Sequence, residues 1–393
     1  MSAVAWIALG SLFVWVWLLL GQGFFWRTDQ RLPVRRDPTR WPSVAVVVPA
    51  RDEAAVLPVS LPSLLAQDYP GDAEVYLVDD CSSDGTGDIA RALSERCGGL
   101  PLTVVTPGEP EPGWTGKLWA LRHGMALARR REPEFLLLTD ADIAHEPDSL
   151  RELVAAAGTE GADGFDLVSQ MARLRVTSTW ERLVVPAFVY FFGQLYPFRR
   201  VNDKGSRTAA AAGGCVLLRA GAAERARIPE SIRQAVIDDV SLARAVRRSG
   251  GRIWLGLAER VDSVRPGPRL ADLWQMVARS AYAQLRHSPA LLAGTVLGLG
   301  LVYVAPPVTL VAGLLTGDVV ASAAGGAAWA VMAGTYMPML GYYRQTLWLA
   351  PLLPFTAVLY LLMTVDSAVQ HHRGLGAAWK GRTYARPEAS PEP

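Results

Sequence analysis

The chain has 393 residues, of which 50% are hydrophobic and only 19% charged, and its mean hydropathy of +0.18 is too apolar for an ordinary soluble enzyme of one domain. Its 39 basic and 37 acidic residues leave a net charge of +2, and no basic stripe interleaves with aromatics, which excludes an electrostatic nucleic-acid binder. Three cysteines, Cys81, Cys97 and Cys215, are odd in number and lack metal spacing, so neither a disulfide framework nor a zinc site is expected, and a reduced, cytosol-facing catalytic portion fits.

Residues 1–26 include AVAWIALGSLFVWVWLLLGQGFF, uncharged up to Arg27 and long enough to cross a hydrocarbon core that needs ~20 residues. A basic leader and a small-residue cleavage site are both missing, so this run reads as a retained transmembrane anchor. Arg27, Arg31, Arg35, Arg36 and Arg40 follow in a basic juxtamembrane linker, 27–42, which the positive-inside rule assigns to the cytosol. The chain is thus expected in the inner, cytoplasmic membrane, multi-pass, with the next section in the cytosol.

Between 43 and 268, short apolar runs alternate with helical stretches, which predicts an α/β domain with a sheet layered by helices. VAVVVP (44–49), VYLVDD (75–80), LTVV (102–105) and the run beginning at Phe135 read as four strands, each followed by a crossover, as in one nucleotide-binding half of a doubly wound fold. Further on, DLVSQM reads as a strand, WERLVVPAFVYFFGQLYPF as a long aromatic segment, TAAAAGGCVLLR as a glycine-containing strand region, and IDDVSLARAVRRSGG as an amphipathic helix with a Gly-Gly stop. The mixture of tryptophan, arginine and apolar residues over 269–288 predicts a helix lying in the membrane interface. About three apolar segments, at 290–315, 319–340 and 347–365, form a C-terminal transmembrane bundle spanning 289–366, and a polar tail covers 367–393. Three full crossings would put that basic tail outside, against the charge rule, so either one segment is re-entrant or interfacial or the tail is an exception.

The stretch FLLLTDADIAHEPDSL ends an apolar strand in two carboxylates one residue apart, Asp140 and Asp142. Side chains at i and i+2 of an extended chain project the same way, so both acids point into one space. Two such carboxylates at a strand's carboxyl end repel unless a cation or its bound phosphates lies between them, which predicts a metal-diphosphate site. The plainer alternative makes Asp140 a strand terminator and Asp142 a helix N-cap.

Four signals occur in order: VVVPARDE, VYLVDDCSSDGT, TDAD and IDDVSLARAVRRSGG. Together they resemble the family 2 glycosyltransferases of the GT-A (nucleotide-diphospho-sugar transferase) fold, a doubly wound mixed sheet, over roughly 43–287. The resemblance implies that Pro49, Arg51 and Glu53 line the nucleotide base and ribose and that Asp80 accepts a hydrogen bond from the base. It implies that Asp140, first acid of the DxD motif, lies near ribose and diphosphate, and that Asp142 is the ligand of a divalent cation, Mg²⁺ or Mn²⁺. Asp239 matches the general base of an inverting single displacement, with Asp238 as the alternative in register. Asp80 has a plain reading as a helix-capping acid, and Asp239 as an acid complementing a helix dipole.

Lys117, in GWTGK, could reach the diphosphate or be merely solvated, and Arg279, in WQMVARSAY, could clamp phosphate or snorkel at the interface. Gln275 and Arg279 are four apart with no tryptophan after them, a departure from the QxxRW element that weakens any link to processive polysaccharide synthases. More closely, PEPGWTGKLWALRHG, RTAAAAGGCVLLR and the ARSAYAQLRHS run resemble the membrane-bound hopene-associated glycosyltransferases, and GWTGK is also similar to transferases acting on carotenoid acids. This implies a nucleotide-sugar donor, taken to be a UDP-sugar, and a membrane lipid acceptor, a hopanoid or alternatively a carotenoid or polyprenyl phosphate. Residues 183–198 could form an apolar ledge for that lipid or a buried core helix. A non-catalytic nucleotide-binding membrane scaffold is the rival of another class.

Overall fold

The structure is a computed structural model that describes residues 1–158 and 164–374, together with strand residues 378–379 and 382–383. The chain divides into two compact units, one formed by Met1–Asp29, Val176–Arg200 and Gly267–Gly376, the other by Gln30–Arg175 and Val201–Pro266. The polar tail expected from 367 onward lies largely outside the described residues, and its first part continues a helix to His372.

The second unit is built on one mixed sheet of β1 (Val44–Ala50), β2 (Ala73–Asp79), β3 (Leu102–Val105), β4 (Phe135–Thr139), β5 (Ile143–His145), β6 (Leu167–Arg173), β7 (Cys215–Arg219) and β8 (Ile253–Ser263), in the order β3-β2-β1-β4-β7-β6-β8-β5. The parallel half β3-β2-β1-β4 is the expected one, and its central strands are buried throughout because helices cover both faces. Antiparallel β7 then joins β4 to β6. Val46, Val48, Leu77, Leu137 and Leu217 form the centre of the core on one side of the sheet, with Leu61 and Leu153 from covering helices.

Helix Gly116–Ala128 carries the chain from β3 back to β4, so its N-terminus lies at the carboxyl end of the parallel strands. Gly124 lets it sit close: a Cβ there would come within 2.4 Å of Val47 Cγ1 and 2.9 Å of Val78 Cγ2. One feature differs from expectation. The strand predicted across TAAAAGGCVLLR starts only at Cys215, because Ala209–Ala212 run as buried irregular chain before Gly213 and Gly214. The linker arginines are engaged by acids of this unit, Arg31 with Glu259, Arg35 with Glu152 and Arg40 with Glu134.

In the first unit, helices Ala3–Leu20, Val319–Tyr342 and the longer runs Pro289–Thr316 and Leu347–His372 are, among the described residues, long and apolar enough to cross a membrane. The run Pro289–Thr316 holds a π turn at Gly300–Val304, just before Pro306 and Pro307, whose missing N–H donors break the regular ladder. Helix Thr179–Leu195 is a core helix of this unit. Val184, Val185, Val189 and Tyr190 are buried, the Tyr190 hydroxyl bonds Thr335 Oγ1 at 2.8 Å, and the Tyr360 hydroxyl donates to the Val184 carbonyl at 2.9 Å. Hydroxyls in so apolar a setting need such partners. Buried Glu181 closes a capping box with Ser178 and also accepts the Gly267 N–H at 2.9 Å, tying together the two points where the chain enters this unit.

Candidate active site

Every strand of the parallel half ends on the same edge of the sheet. The register pairs Ala50 with Asp79 and Val47 with Leu138, so the loops after β1, β2 and β4 carry residues 51–53, 80–86 and 140–142 out side by side. The first two loops are stitched together: Glu53 N–H donates to Thr86 Oγ1 at 2.8 Å, Asp52 N–H to Ser82 Oγ at 2.9 Å and Ser83 N–H to Asp52 Oδ1 at 2.8 Å. Asp52 and Cys81 adopt φ of 50° and 52°, the left-handed region that costs a non-glycine residue energy and recurs at functional sites. Asp80 is fully buried, with Arg51 Nη1 3.6 Å from its Oδ2 and also donating to its backbone carbonyl.

At the other end of this row, Lys117 Nζ lies 2.8 Å from Asp140 Oδ1 and 3.0 Å from Asp238 Oδ2. Burial pulls the Lys117 ammonium down, but the carboxylates of Asp140 and Asp238 outweigh it and hold it charged above its ordinary value. Burial raises Asp140, against the lowering field of Lys117, and Asp142 raises it further. Next to them Asp239 accepts the Gly213 N–H on Oδ2 at 2.9 Å and the Val240 N–H on Oδ1 at 2.7 Å. Burial, followed by the charge of Asp238, pushes Asp239 up to about 6 in spite of those bonds and of Lys117. A narrow cleft is lined by Pro49, Lys117, Asp140, Gly213, Asp238 and Asp239.

Asp142 stands beside this group and is held differently. It precedes β5, which pairs with β8 so that Ile143 faces Ser263, and the pairing continues with Val264 N–H donating to the Asp142 carbonyl at 2.9 Å. Ser263 and Arg265, two residues apart, therefore reach the same carboxylate: Ser263 Oγ is 2.9 Å and Arg265 Nε 3.1 Å from Asp142 Oδ2, while Arg265 Nη2 spans both oxygens of Glu53 at 2.7 Å. Asp142 is no helix N-cap, since the following helix, Ser149–Ala157, begins seven residues later.

The structure thus gathers Pro49, Lys117, Asp140 and Asp239 at one cleft, with Asp238 among them, and links Arg51 to Asp80 and Glu53 to Asp142 in the same row of loops. Arg279 is an exposed residue of helix Leu270–Gln284 in the first unit. Sequence reasoning missed Arg265, Ser263 and the Gly213 amide. The alternation of SVR after the β8 run was the available signal for the first two. His145, given no role, is buried between Thr139 Oγ1 at 3.0 Å and Ser149 Oγ at 3.2 Å, and burial lowers it to about 4, as expected of a neutral structural histidine.

A family model described as "Glycosyltransferase like family 2" matches residues 42–283, more than half of the chain. The chain belongs to this family. The chain is 33% identical over 150 residues to the protein named Probable glycosyltransferase YdaM of Bacillus subtilis (strain 168), covering 36% of this chain and 34% of that one. It is 30% identical over 145 residues to the undecaprenyl-phosphate 4-deoxy-4-formamido-L-arabinose transferase of Pseudomonas aeruginosa (strain LESB58), covering 35% of this chain and 38% of that one. The match thus spans little more than a third of the length of either relative. Among solved structures, a mannosyltransferase from Pyrobaculum calidifontis, in complex with GDP-Man and Mn²⁺, aligns over 93% of this chain and 99% of its own with a TM-score of 0.56 at 21% identity. At that identity the likeness is one of fold, and the family 2 domain has the expected GT-A architecture.

Proposed function

We propose that this chain moves a sugar from a UDP-sugar to a lipid acceptor in the membrane, in a single displacement that inverts the anomeric carbon. One observation carries the reading: a carboxylate with a raised proton affinity, Asp239, and a buried ammonium, Lys117, face one cleft at the carboxyl ends of the parallel strands. Asp239 would take the proton of an acceptor hydroxyl as its oxygen bonds to the anomeric carbon and the bond to the diphosphate oxygen breaks. The charge that leaves on the diphosphate would meet Lys117. Asp238 is the weaker candidate base because its carboxylate is spent on Lys117, whereas Asp239 is set by two backbone N–H groups. Arg51, Glu53, Pro49 and Asp80 would receive base and ribose, and Arg279 is retained as a proposed phosphate clamp from the family pattern.

The acids also fit a divalent ion, Mg²⁺ or Mn²⁺. Among the described residues no group of three or more His, Cys, Asp or Glu could hold one alone. Asp142, with Asp140 near it, offers hard oxygen donors of the kind that bind such an ion through one or two carboxylates and the substrate's phosphates. When bound, it would neutralise charge on the departing diphosphate. Replacing Asp142 by alanine is therefore expected to abolish the Mn²⁺-dependent part of UDP binding, measured by calorimetry with and without chelator; unchanged Mn²⁺ dependence would remove Asp142 from this role.

The long apolar helices, the lipid-phosphate acceptor in the name of the Pseudomonas relative, and the resemblance to hopene-associated enzymes support a lipid acceptor, for which we put forward a hopanoid. That relative also favours a second reading, transfer to a polyprenyl phosphate. The two differ chemically. A hydroxyl must lose a proton on attack, whereas a phosphate monoester, with a second pKa of about 6, already offers an anionic oxygen. With a hydroxyl acceptor, log kcat/KM is expected to rise with unit slope as Asp239 deprotonates and to level off above pH about 6, since its base form is the active one. A profile flat from pH 5 to 8 in an assay with a lipid alcohol would contradict that role. The direct test incubates membranes containing the chain, oriented as expected with this domain in the cytosol, with radiolabelled nucleotide-sugars and hopanoid, carotenoid or polyprenyl-phosphate lipids. Label entering the lipid fraction identifies the acceptor. No transfer from any donor, with nucleotide still bound, would favour the scaffold.

A further inference from the structure

Arg265 occupies an unusual position for a residue outside every motif. Its side chain is 41% exposed and its guanidinium covers two more buried carboxylates, Glu53 at 8% and Asp142 at 15%. Arginine suits this place because its planar fork can serve two carboxylates at once, which a lysine ammonium cannot do with the same geometry. Asp142 Oδ2, the atom reached by Arg265 Nε, is also the acceptor of the Ser263 hydroxyl. An ion arriving at that oxygen must displace at least one of these donors, and the longer contact, to Arg265, is the one held by an exposed side chain.

We propose that Arg265 is a positioning residue that acts as the internal counter-ion of Asp142, yielding this carboxylate to a divalent ion and turning to the diphosphate that arrives with it. This rests on the reading of Asp142 as the ion's ligand. Before donor binds, the guanidinium neutralises Asp142 and Glu53 and competes with free cation. When ion and nucleoside diphosphate enter together, the ion takes Asp142 and the freed guanidinium gains a new anionic partner. Ion and nucleotide then favour one another through Arg265, a reciprocal coupling between two ligands.

The test measures Mn²⁺ binding to the full chain in detergent micelles by the electron paramagnetic resonance signal of free Mn²⁺, without nucleotide and with UDP or GDP, whichever the wild-type protein binds. In Arg265→Gln, Mn²⁺ alone is expected to bind about tenfold more tightly, and the enhancement given by the nucleotide to shrink by a similar factor, within the usual range of coupling between ligands. Arg265→Lys, which keeps the charge but loses the fork, should fall between. If Arg265 merely braced Asp142, Mn²⁺ would weaken in parallel with and without nucleotide, leaving the ratio unchanged, and that result or an unchanged affinity overturns the proposal. An Asp142→Ala control separates the two levels. Nucleotide-enhanced Mn²⁺ binding that survives it, or is absent from the wild type, sinks the assignment of Asp142. Its loss in that control beside an unaltered ratio in Arg265→Gln sinks the role of Arg265 alone.

Discussion

Asp239→Asn is expected to slow sugar transfer to a lipid alcohol by about 10²–10⁴-fold, the usual worth of a positioned general base, while UDP binding stays as in the wild type. Asparagine has nearly the same shape but only one carbonyl oxygen, so it keeps one of the two backbone bonds, from Gly213 or Val240, and turns its amide toward the other. That mismatch costs about 1 kcal/mol of stability, too little to unfold the domain. The acidic limb of the pH profile should vanish with the base. Asp238→Asn separates the two acids: it should keep that limb but move it to lower pH, because the neighbouring charge that helps raise Asp239 is gone. If the acceptor were instead a polyprenyl phosphate, the attacking oxygen would need no base and Asp239→Asn would retain most of its rate, so one variant assayed on two lipids distinguishes the acceptors. Full activity of Asp239→Asn on the lipid alcohol would remove Asp239 from the chemistry.

Lys117→Met should have the largest effect on the domain itself. The ammonium sits between Asp140 and Asp238 with 20% of its side chain exposed, and its loss leaves two half-buried carboxylates facing each other. Removing one partner of a buried ion pair costs about 3–5 kcal/mol, which for a domain of this size lowers the melting temperature by roughly 6–20 °C. The sign of the pH dependence follows. Without Lys117, burial and the neighbouring acids raise the folded-state pKa of Asp140 further above its unfolded value. Stability that depends on its being protonated is then present at low pH and lost as pH rises through that folded value. The deficit should therefore be larger at pH 7.5 than at pH 5, in thermal melts of the full chain in detergent. A variant as stable as the wild type at both values would mean that the three side chains are not coupled. UDP affinity should also fall by at least about tenfold, since the charge proposed to meet the diphosphate is lost.

The parallel half of the fold was legible because strands buried on both faces leave unbroken apolar runs, and β1 to β4 end in turn residues and acids that sequence spacing exposes. β5 was not, since three residues carry no periodic signal, and β8 was not, since IWLGLA is buried on both faces and then alternates imperfectly through its last residues. The aspartates were legible for their spacing; their partners were not. Asp142 and Arg265 are 123 positions apart and meet only because β5 pairs with β8, just as Asp239 meets Gly213 through the chain's return alongside β7. The aromatic segment at 183–198 had two open readings in the sequence. Its buried Tyr190 hydroxyl, bonded to Thr335, and its Val184 carbonyl, which accepts from the Tyr360 hydroxyl, identify a core helix.

The most direct measurement is a crystallographic one: the protein with Mn²⁺ and UDP, using anomalous scattering to locate the metal. The account predicts a single Mn²⁺ peak on the Asp142 carboxylate and the diphosphate, with Lys117 against the phosphates and Asp239 facing the open side of the cleft. Metal and nucleotide bound away from Asp142 and Lys117 would contradict it.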